Sequence, residues 1–199
     1  RAFTDLDEAL RETSMDKLMP PLGAALRQKV KEFRDSGYVG AADTSKSLLT
    51  WWFKTPHLLP QADGNMAEFQ YFFSQREALE TIIYLYDVVG AKDKFDLMRF
   101  DSSGAVSASM FDENWRRYVV KMATGAGKTK VLSLSLAWSY FHKLYEPDSE
   151  LARNFLVIAP NIIVLDRIHK DFQGLRLFFD DPVIPDNGFE GRNWHDDFQ

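Results

Sequence analysis

The sequence contains no cysteine, which excludes a disulfide scaffold, a thiolate nucleophile and any metal site held by cysteine. It also lacks an unbroken run of about 18 apolar residues, so no membrane-spanning helix is predicted. A basic stripe of the kind that many nucleic-acid-binding proteins carry is missing as well. Residues 144–199 even carry five basic and eleven acidic side chains. We therefore expect any contact with nucleic acid to be local or to lie in a part of the protein outside these 199 residues.

The chain has what a packed core requires. Of its 199 residues, 45% are hydrophobic and 14% are aromatic, which excludes a largely disordered protein. This length predicts one domain with an addition, or a piece of something larger. No apolar, signal-like stretch follows Arg1, and together with the absence of cysteine this favours a cytoplasmic location.

A helical N-terminal region is predicted over residues 1–65. Apolar residues at helical spacing indicate one helix over 5–18 and a second from Pro21 to about Phe33. A looser segment follows and contains the aromatic cluster 51–53. Packing in the core is the favoured interpretation of this cluster, and a platform for stacking bases is the alternative.

Residues 66–199 predict an α/β domain with a parallel sheet. The predicted elements, in chain order, are a helix over 75–89, a surface insertion over 91–114, a strand over 118–120, a glycine-rich loop, a mostly apolar helix over 129–143 and a buried strand over 155–159. A strand, a helix and a second strand in this order form the βαβ unit of parallel sheets.

The glycine-rich loop, residues 122–129, carries the strongest functional signal. Gly125 and Gly127 would let backbone N–H groups converge on a polyphosphate, and the helix that follows adds its free N–H donors. Lys128 is the catalytic candidate, because its ammonium would reach the β- and γ-phosphates. Thr129 would place its hydroxyl on Mg²⁺. The nucleotide-binding candidates within this loop are Ala123, Thr124, Gly125, Ala126, Gly127, Lys128 and Thr129. An ordinary glycine turn with a solvated lysine is the disfavoured alternative.

The loop sequence Met-Ala-Thr-Gly-Ala-Gly-Lys-Thr resembles motif I of superfamily 2 helicases and translocases, and most closely the type III restriction enzyme Res-subunit group. The resemblance implies a RecA-like fold. Phe73 and Gln75 look like that superfamily's adenine-reading motif, in which a carboxamide pairs with the base and an aromatic ring stacks on it. Pro160 and Asn161 look like the end of its second strand, where a DNA phosphate is held.

Two features depart from the family pattern. Met122 stands where the strict phosphate-loop motif has glycine, and no credible Asp-Glu motif follows the loop. The acidic pairs at 7–8, 112–113 and 180–181 are poor substitutes, because none combines a preceding apolar strand with the Asp-Glu sequence. Since hydrolysis needs an acidic group to hold Mg²⁺ and another to orient water, we expect residues 1–199 to stop inside the first motor domain and not to hydrolyse ATP alone.

The resemblance implies the ATP-binding part of a DNA translocase or helicase, as in the Res subunit of a type III restriction-modification system. ATP and Mg²⁺ are the implied cofactors. Double-stranded DNA is the implied partner, and a methyltransferase or specificity subunit and a nuclease domain come from the family alone. Two alternatives stay open: another P-loop NTPase, such as a nucleotide kinase, and a nucleotide-binding interaction module that has lost hydrolysis.

Overall fold

The computed structural model describes residues 22–101 and 118–198, so the helix predicted over 5–18 lies outside the described residues, as does the second half of the predicted insertion. The α-helices are α1 (Gly23–Asp35), α2 (Asp43–Phe53), α3 (Phe73–Ile83), α4 (Lys94–Met98), α5 (Lys128–Tyr145), α6 (Ile162–Phe172) and α7 (Arg176–Phe179). The strands are β1 (His57–Pro60) and β2 (Met66–Phe69). A π-helical segment covers Tyr84–Val88, and 3₁₀ turns cover Gln173–Leu175 and Phe189–Gly191.

The chain divides into two units. The first unit takes the segments Arg1–Val39 and Tyr84–Val119, and the second takes Gly40–Ile83 and Val120–Gln199. Every candidate site residue falls in the second unit. The boundary that the sequence predicts between a helical region (1–65) and an α/β domain (66–199) stays a prediction.

The first unit contains α1, which confirms the helix predicted up to about Phe33. Val30 and Phe33 are the buried residues of this helix. The Phe33 ring contacts the rings of Tyr38 and Tyr84, at centroid distances of 5.2 and 5.4 Å. The helix ends with Gly37 in a left-handed conformation, which favours glycine after a helix C-terminus.

The second unit is built on α5, against which α2 and α3 pack. Fully buried apolar side chains of its core include Leu48, Leu49, Leu79, Leu134, Phe141 and Trp194. The predicted helix over 129–143 is confirmed and is slightly longer. Pro147 lies two residues after its end, where proline prevents the helix from continuing. Helix α2 was not predicted, since residues 43–47 are all polar and its apolar residues are clustered at 48–53 instead of recurring at helical spacing.

The aromatic cluster 51–53 supports the core-packing interpretation. Trp51 and Trp52 are buried, and their indole N–H groups donate to the backbone oxygens of Pro182 (3.0 Å) and Val183 (2.7 Å). These bonds satisfy both indoles within the second unit and join α2 to a segment more than 100 residues away. Phe53 is only half-buried.

The two strands form an antiparallel hairpin that was not predicted from the sequence. His57 pairs with Phe69 and Pro60 pairs with Met66. The connecting loop contains Gly64 at φ +82°, and Asp63 accepts hydrogen bonds from the backbone and side chain of Asn65. An Asp-Gly pair between apolar runs is a known hairpin signal, and it was present in the sequence.

The predicted parallel sheet does not occur in the part of the chain that the structure describes, where the β1–β2 hairpin is the sole sheet. Residues 118–120 and 155–159 belong to no strand. Leu156 and Ile158 are 85% and 82% exposed, although their apolar run predicted burial. The reason is that no strand among the described residues lies beside this run to supply backbone partners or covering side chains, and an apolar run alone cannot provide either.

Within residues 22–101 and 118–198, no helix combines the length and the apolar character that crossing a membrane requires.

Candidate functional site

The phosphate loop has the backbone conformation that its glycines predict. Gly125 and Gly127 both lie in the left-handed region, at φ +82° and +77°, where other residues are strained. A turn closes within the loop, with the Ala126 N–H 3.3 Å from the carbonyl oxygen of Ala123. Gly127 immediately precedes α5, and its carbonyl accepts from the N–H of Lys130 at 3.0 Å. The loop therefore leads directly into the N-terminus of a long, buried helix.

The first residues of α5 offer backbone donors. In the described part of the chain, the N–H groups of Lys128 and Thr129 donate to no acceptor. The first turn of α5 contains no acidic residue that would compete for an incoming anion. Unpaired N–H groups and the positive end of the helix dipole together favour a bound phosphate at this position.

Lys128 is exposed and bonds to its own loop. Its Nζ donates to the carbonyl oxygen of Ala123 at 3.1 Å. This bond reaches from near the end of the loop to near its beginning, so the ammonium lies beside the backbone that would surround a phosphate group. Phosphate oxygens are stronger acceptors for an ammonium than a neutral carbonyl, so the lysine can exchange this partner for an anion.

Thr129 fits a Mg²⁺ that carries mostly water and phosphate ligands. It is half-buried in the first turn of α5, and its hydroxyl bonds to no other described residue. Mg²⁺ in nucleotide sites takes one or two protein ligands and completes its shell with phosphate oxygens and water. Within residues 22–101 and 118–198, no group of three or more histidine and acidic side chains could hold a metal ion. Coordination of Mg²⁺ by Thr129 stays a prediction.

Gln75 lies behind the phosphate loop. It is only 4% exposed, and its Nε2 donates to the carbonyl oxygens of Ala126 (3.2 Å) and Gly127 (3.4 Å). Its Oε1 accepts from the N–H of Phe72 at 2.9 Å. Nε2 therefore joins α3 to the loop, and Oε1 holds the amide in place through the residue that precedes the helix. Reading of adenine by Gln75 stays a prediction, because the amide would have to exchange these partners for the base.

Phe73 is the first residue of α3 and is 58% exposed. Its ring is therefore accessible to a planar ligand. Its stacking on adenine stays a prediction.

Asn161 has a structural role that was not predicted from the sequence. Its side chain caps α6, with Oδ1 accepting from the N–H of Val164 at 3.0 Å. This is the standard use of asparagine at a helix N-cap. Pro160 precedes it on the surface, and no residue of α6 is buried. The proposed contact of Pro160 and Asn161 with a DNA phosphate stays a prediction.

One ion pair beside the loop was also not predicted. Lys130, one residue after Thr129, pairs with Asp181, a member of one of the acidic pairs that are poor substitutes for the Asp-Glu motif. Burial lowers the pKa of Lys130, while the charges of Asp171 and Asp180 act in the opposite direction. Contact between residues 51 positions apart leaves no local sequence signal, so only the folded chain could reveal it.

The comparison with protein families decides the identity of this domain. The model for "type III restriction enzyme, res subunit" matches residues 68–193, which include the phosphate loop, Gln75 and the segment around Asn161. The chain belongs to this family. No curated protein and no solved structure matches it. Membership in the Res-subunit family implies a RecA-like fold and a helicase-like, ATP-dependent function, with ATP and Mg²⁺ as the usual cofactors.

Proposed function

We propose that this chain is the ATP-binding part of an ATP-dependent DNA translocase or helicase, the restriction subunit of a type III restriction-modification-like system. The observation that carries the proposal is the phosphate loop, in which two left-handed glycines precede a helix whose first N–H groups donate to no acceptor among the described residues. The Res-subunit family match supports the choice of a helicase-like protein over another P-loop NTPase.

Each loop residue has a separate task in this proposal. The N–H groups of Lys128 and Thr129 bind phosphate oxygens, and the Lys128 ammonium leaves the Ala123 carbonyl to neutralise the negative charge. The Thr129 hydroxyl provides one ligand for Mg²⁺, which supplies charge neutralisation between the phosphates when bound. Gln75 supports the loop from behind through the carbonyls of Ala126 and Gly127. The proposed DNA contact at Pro160 and Asn161 is on the surface at the start of α6.

Calorimetric titration with Mg²⁺-ATP tests whether the chain binds nucleotide at the phosphate loop. Lys128→Ala is expected to weaken binding at least tenfold, because it removes the charge that faces the phosphates. Lys46→Ala is the matched control, since Lys46 is an exposed lysine of α2 in the same unit. Equal affinity of wild type and Lys128→Ala would overturn the proposed phosphate site.

A phosphate-release assay tests whether this chain hydrolyses the ATP that it binds. We propose that residues 1–199 bind ATP without turning it over, because the sequence offers no Asp-Glu motif after the loop. Phosphate release by the wild-type chain above the Lys128→Ala background would contradict this.

The motor function is tested in the longest form of the protein that can be expressed, with and without duplex DNA. We expect turnover that DNA stimulates and that Lys128→Ala abolishes. Turnover indifferent to DNA would favour another P-loop enzyme, and no turnover would favour a non-hydrolysing module.

A further inference from the structure

A cavity of about 420 Å³ lies within the second unit, between the end of α2, strand β1 and the segment that follows α7. The lining residues that matter for its chemistry are Trp51, His57, Phe179, Asp181, Asp186 and His195. We refer to it as the acidic cavity. Among the described residues that line it, none is a lysine or an arginine, and none belongs to the phosphate loop. The cavity is therefore separate from the proposed phosphate site.

His57 brings an unused acceptor to the acidic cavity. The residue is only 8% exposed, and its Nε2 lies 2.6 Å from the carbonyl oxygen of Trp51. Because a carbonyl can only accept, Nε2 carries the proton, and in the neutral ring Nδ1 keeps its lone pair. Nδ1 bonds to no described residue. It is nevertheless accessible, since the Tyr71 hydroxyl is the one inaccessible side-chain atom without a partner in the described part of the chain. The acidic cavity is the accessible space that His57 lines.

Two carboxylates at the acidic cavity retain free acceptor oxygens. Asp181 pairs with Lys130 through Oδ2, and its Oδ1 accepts from no described residue. Oδ1 of Asp186 lies 3.9 Å from Nε2 of His195, which is too long for a hydrogen bond. Both aspartates belong to residues 144–199, where five basic side chains stand against eleven acidic ones. This side of the cavity therefore attracts a cation.

Aromatic rings line the same cavity. The Trp51 ring is held in place, because its N–H donates to the carbonyl oxygen of Pro182 at 3.0 Å and its ring contacts His57 at a centroid distance of 4.7 Å. Phe179 is 45% exposed and stands edge-on to the ring of His195, at 5.2 Å. Aromatic faces attract cations, and a planar guanidinium, which is weakly hydrated, stacks on them more readily than an ammonium does. Rings and carboxylates in one cavity therefore favour a guanidinium.

We propose that the acidic cavity binds the guanidinium group of an arginine side chain from a protein partner. A guanidinium presents several N–H donors in one plane, so it can bond to a carboxylate and to Nδ1 of His57 while its face lies against a ring. A volume of about 420 Å³ falls within the roughly 300–1,000 Å³ of ligand sites. The excess of acidic side chains over 144–199 favours a basic protein segment as the source of the arginine. Nucleotide binding has no part in this proposal, so it can fail without the proposed function failing.

NMR titration of the 199-residue chain with two blocked amino acids tests the proposal. The probes are N-acetyl-arginine amide and N-acetyl-citrulline amide, which has the same shape and a neutral urea group in place of the guanidinium. We expect the arginine compound to bind at least about tenfold more tightly, because only it makes charge-assisted hydrogen bonds. The ¹⁵N resonance of His57 Nδ1 should shift as the arginine compound binds, and those of His169, an exposed histidine that does not line the cavity, should not.

Substitution of single carboxylates locates the bound cation. Asp181→Asn keeps the side-chain shape and removes the charge, so it should weaken binding of the arginine compound about tenfold. Asp180→Asn is the matched control, because it changes the net charge equally at the adjacent position and Asp180 does not line the cavity. Since Asp181→Asn also breaks the pair with Lys130, Asp186→Asn is a second variant. The Asp186 side chain is 79% exposed, so we expect about two- to fivefold weaker binding and unchanged thermal stability.

Four results would overturn the proposal. Equal affinities for the arginine and citrulline compounds would exclude a guanidinium site, and an unmoved His57 Nδ1 resonance would place the ligand elsewhere. Equal losses from Asp180→Asn and Asp181→Asn would indicate attraction by overall charge alone. Tighter binding of propylguanidinium, which lacks the peptide groups, than of the blocked arginine would contradict the assignment to a protein partner.

Discussion

The side-chain amide of Gln75 lies against the backbone of Gly127, with Nε2 3.4 Å from the carbonyl oxygen of that glycine. A Cβ atom at position 127 would overlap Nε2 of Gln75, closer than van der Waals contact allows. Gly127 therefore satisfies two separate requirements. Its φ of +77° favours glycine, and the approach of the glutamine amide leaves no room for a Cβ atom.

Gly127→Ala tests both requirements. We expect it to destabilise the chain by more than the roughly 1–2 kcal/mol that a left-handed conformation costs a residue other than glycine. Gly64→Ala is the matched control, because Gly64 has φ +82° and a Cβ atom added there would meet nothing within 4 Å. Denaturant unfolding measures both free energies.

The excess cost of Gly127→Ala should fall when Gln75→Ala is added, since the second change removes the overlapping amide. Equal costs at positions 64 and 127 would show that the glutamine is not in contact with the loop.

Gln75→Ala separates support of the loop from reading of the base. The buried amide makes its hydrogen bonds to the loop and to Phe72, so its removal should lower the free energy of unfolding by about 1–3 kcal/mol. ATP and GTP affinities should fall by the same factor, because the loop that is loosened binds phosphates and not the base. Gln61→Ala, at an exposed glutamine, is the control. A loss confined to ATP would instead support reading of adenine by Gln75.

Leu156→Ala tests whether the segment 155–159 is exposed in solution. Leu156 is 85% exposed, so its truncation should change the free energy of unfolding by less than about 0.5 kcal/mol. Leu134→Ala, at a fully buried leucine of α5, should cost roughly 2–5 kcal/mol. Similar costs at both positions would mean that the segment packs as the buried strand that its sequence predicts.

The hairpin turn should show a measurable acid dependence. Hydrogen bonds from the backbone and side chain of Asn65 lower the pKa of Asp63 below its usual value of 3.8. A lowered carboxyl pKa stabilises the fold above the unfolded pKa, and that contribution is lost as pH falls through the folded pKa. Carboxyl NMR titration should therefore give a pKa under 3.8 for Asp63. Asn65→Ala should raise it, and an unchanged value would contradict the turn geometry.

The sequence by itself determined the phosphate loop and the helices beside it. Glycines at 125 and 127, followed by Lys128 and Thr129, specify backbone conformation and chemistry within eight neighbouring residues, and helical spacing of apolar side chains is likewise a local signal. Such features need no distant partner, which explains why α1, α3 and α5 could be predicted from periodicity.

Only the tertiary structure decided which distant groups meet. The bonds from Gln75 to the loop and the Lys130–Asp181 pair each join residues about 50 positions apart in the chain. The apolar run at 155–159, which was wrongly predicted to be a buried strand, has the same explanation. A strand requires a neighbour to pair with its backbone, and no property of its own residues can supply that neighbour.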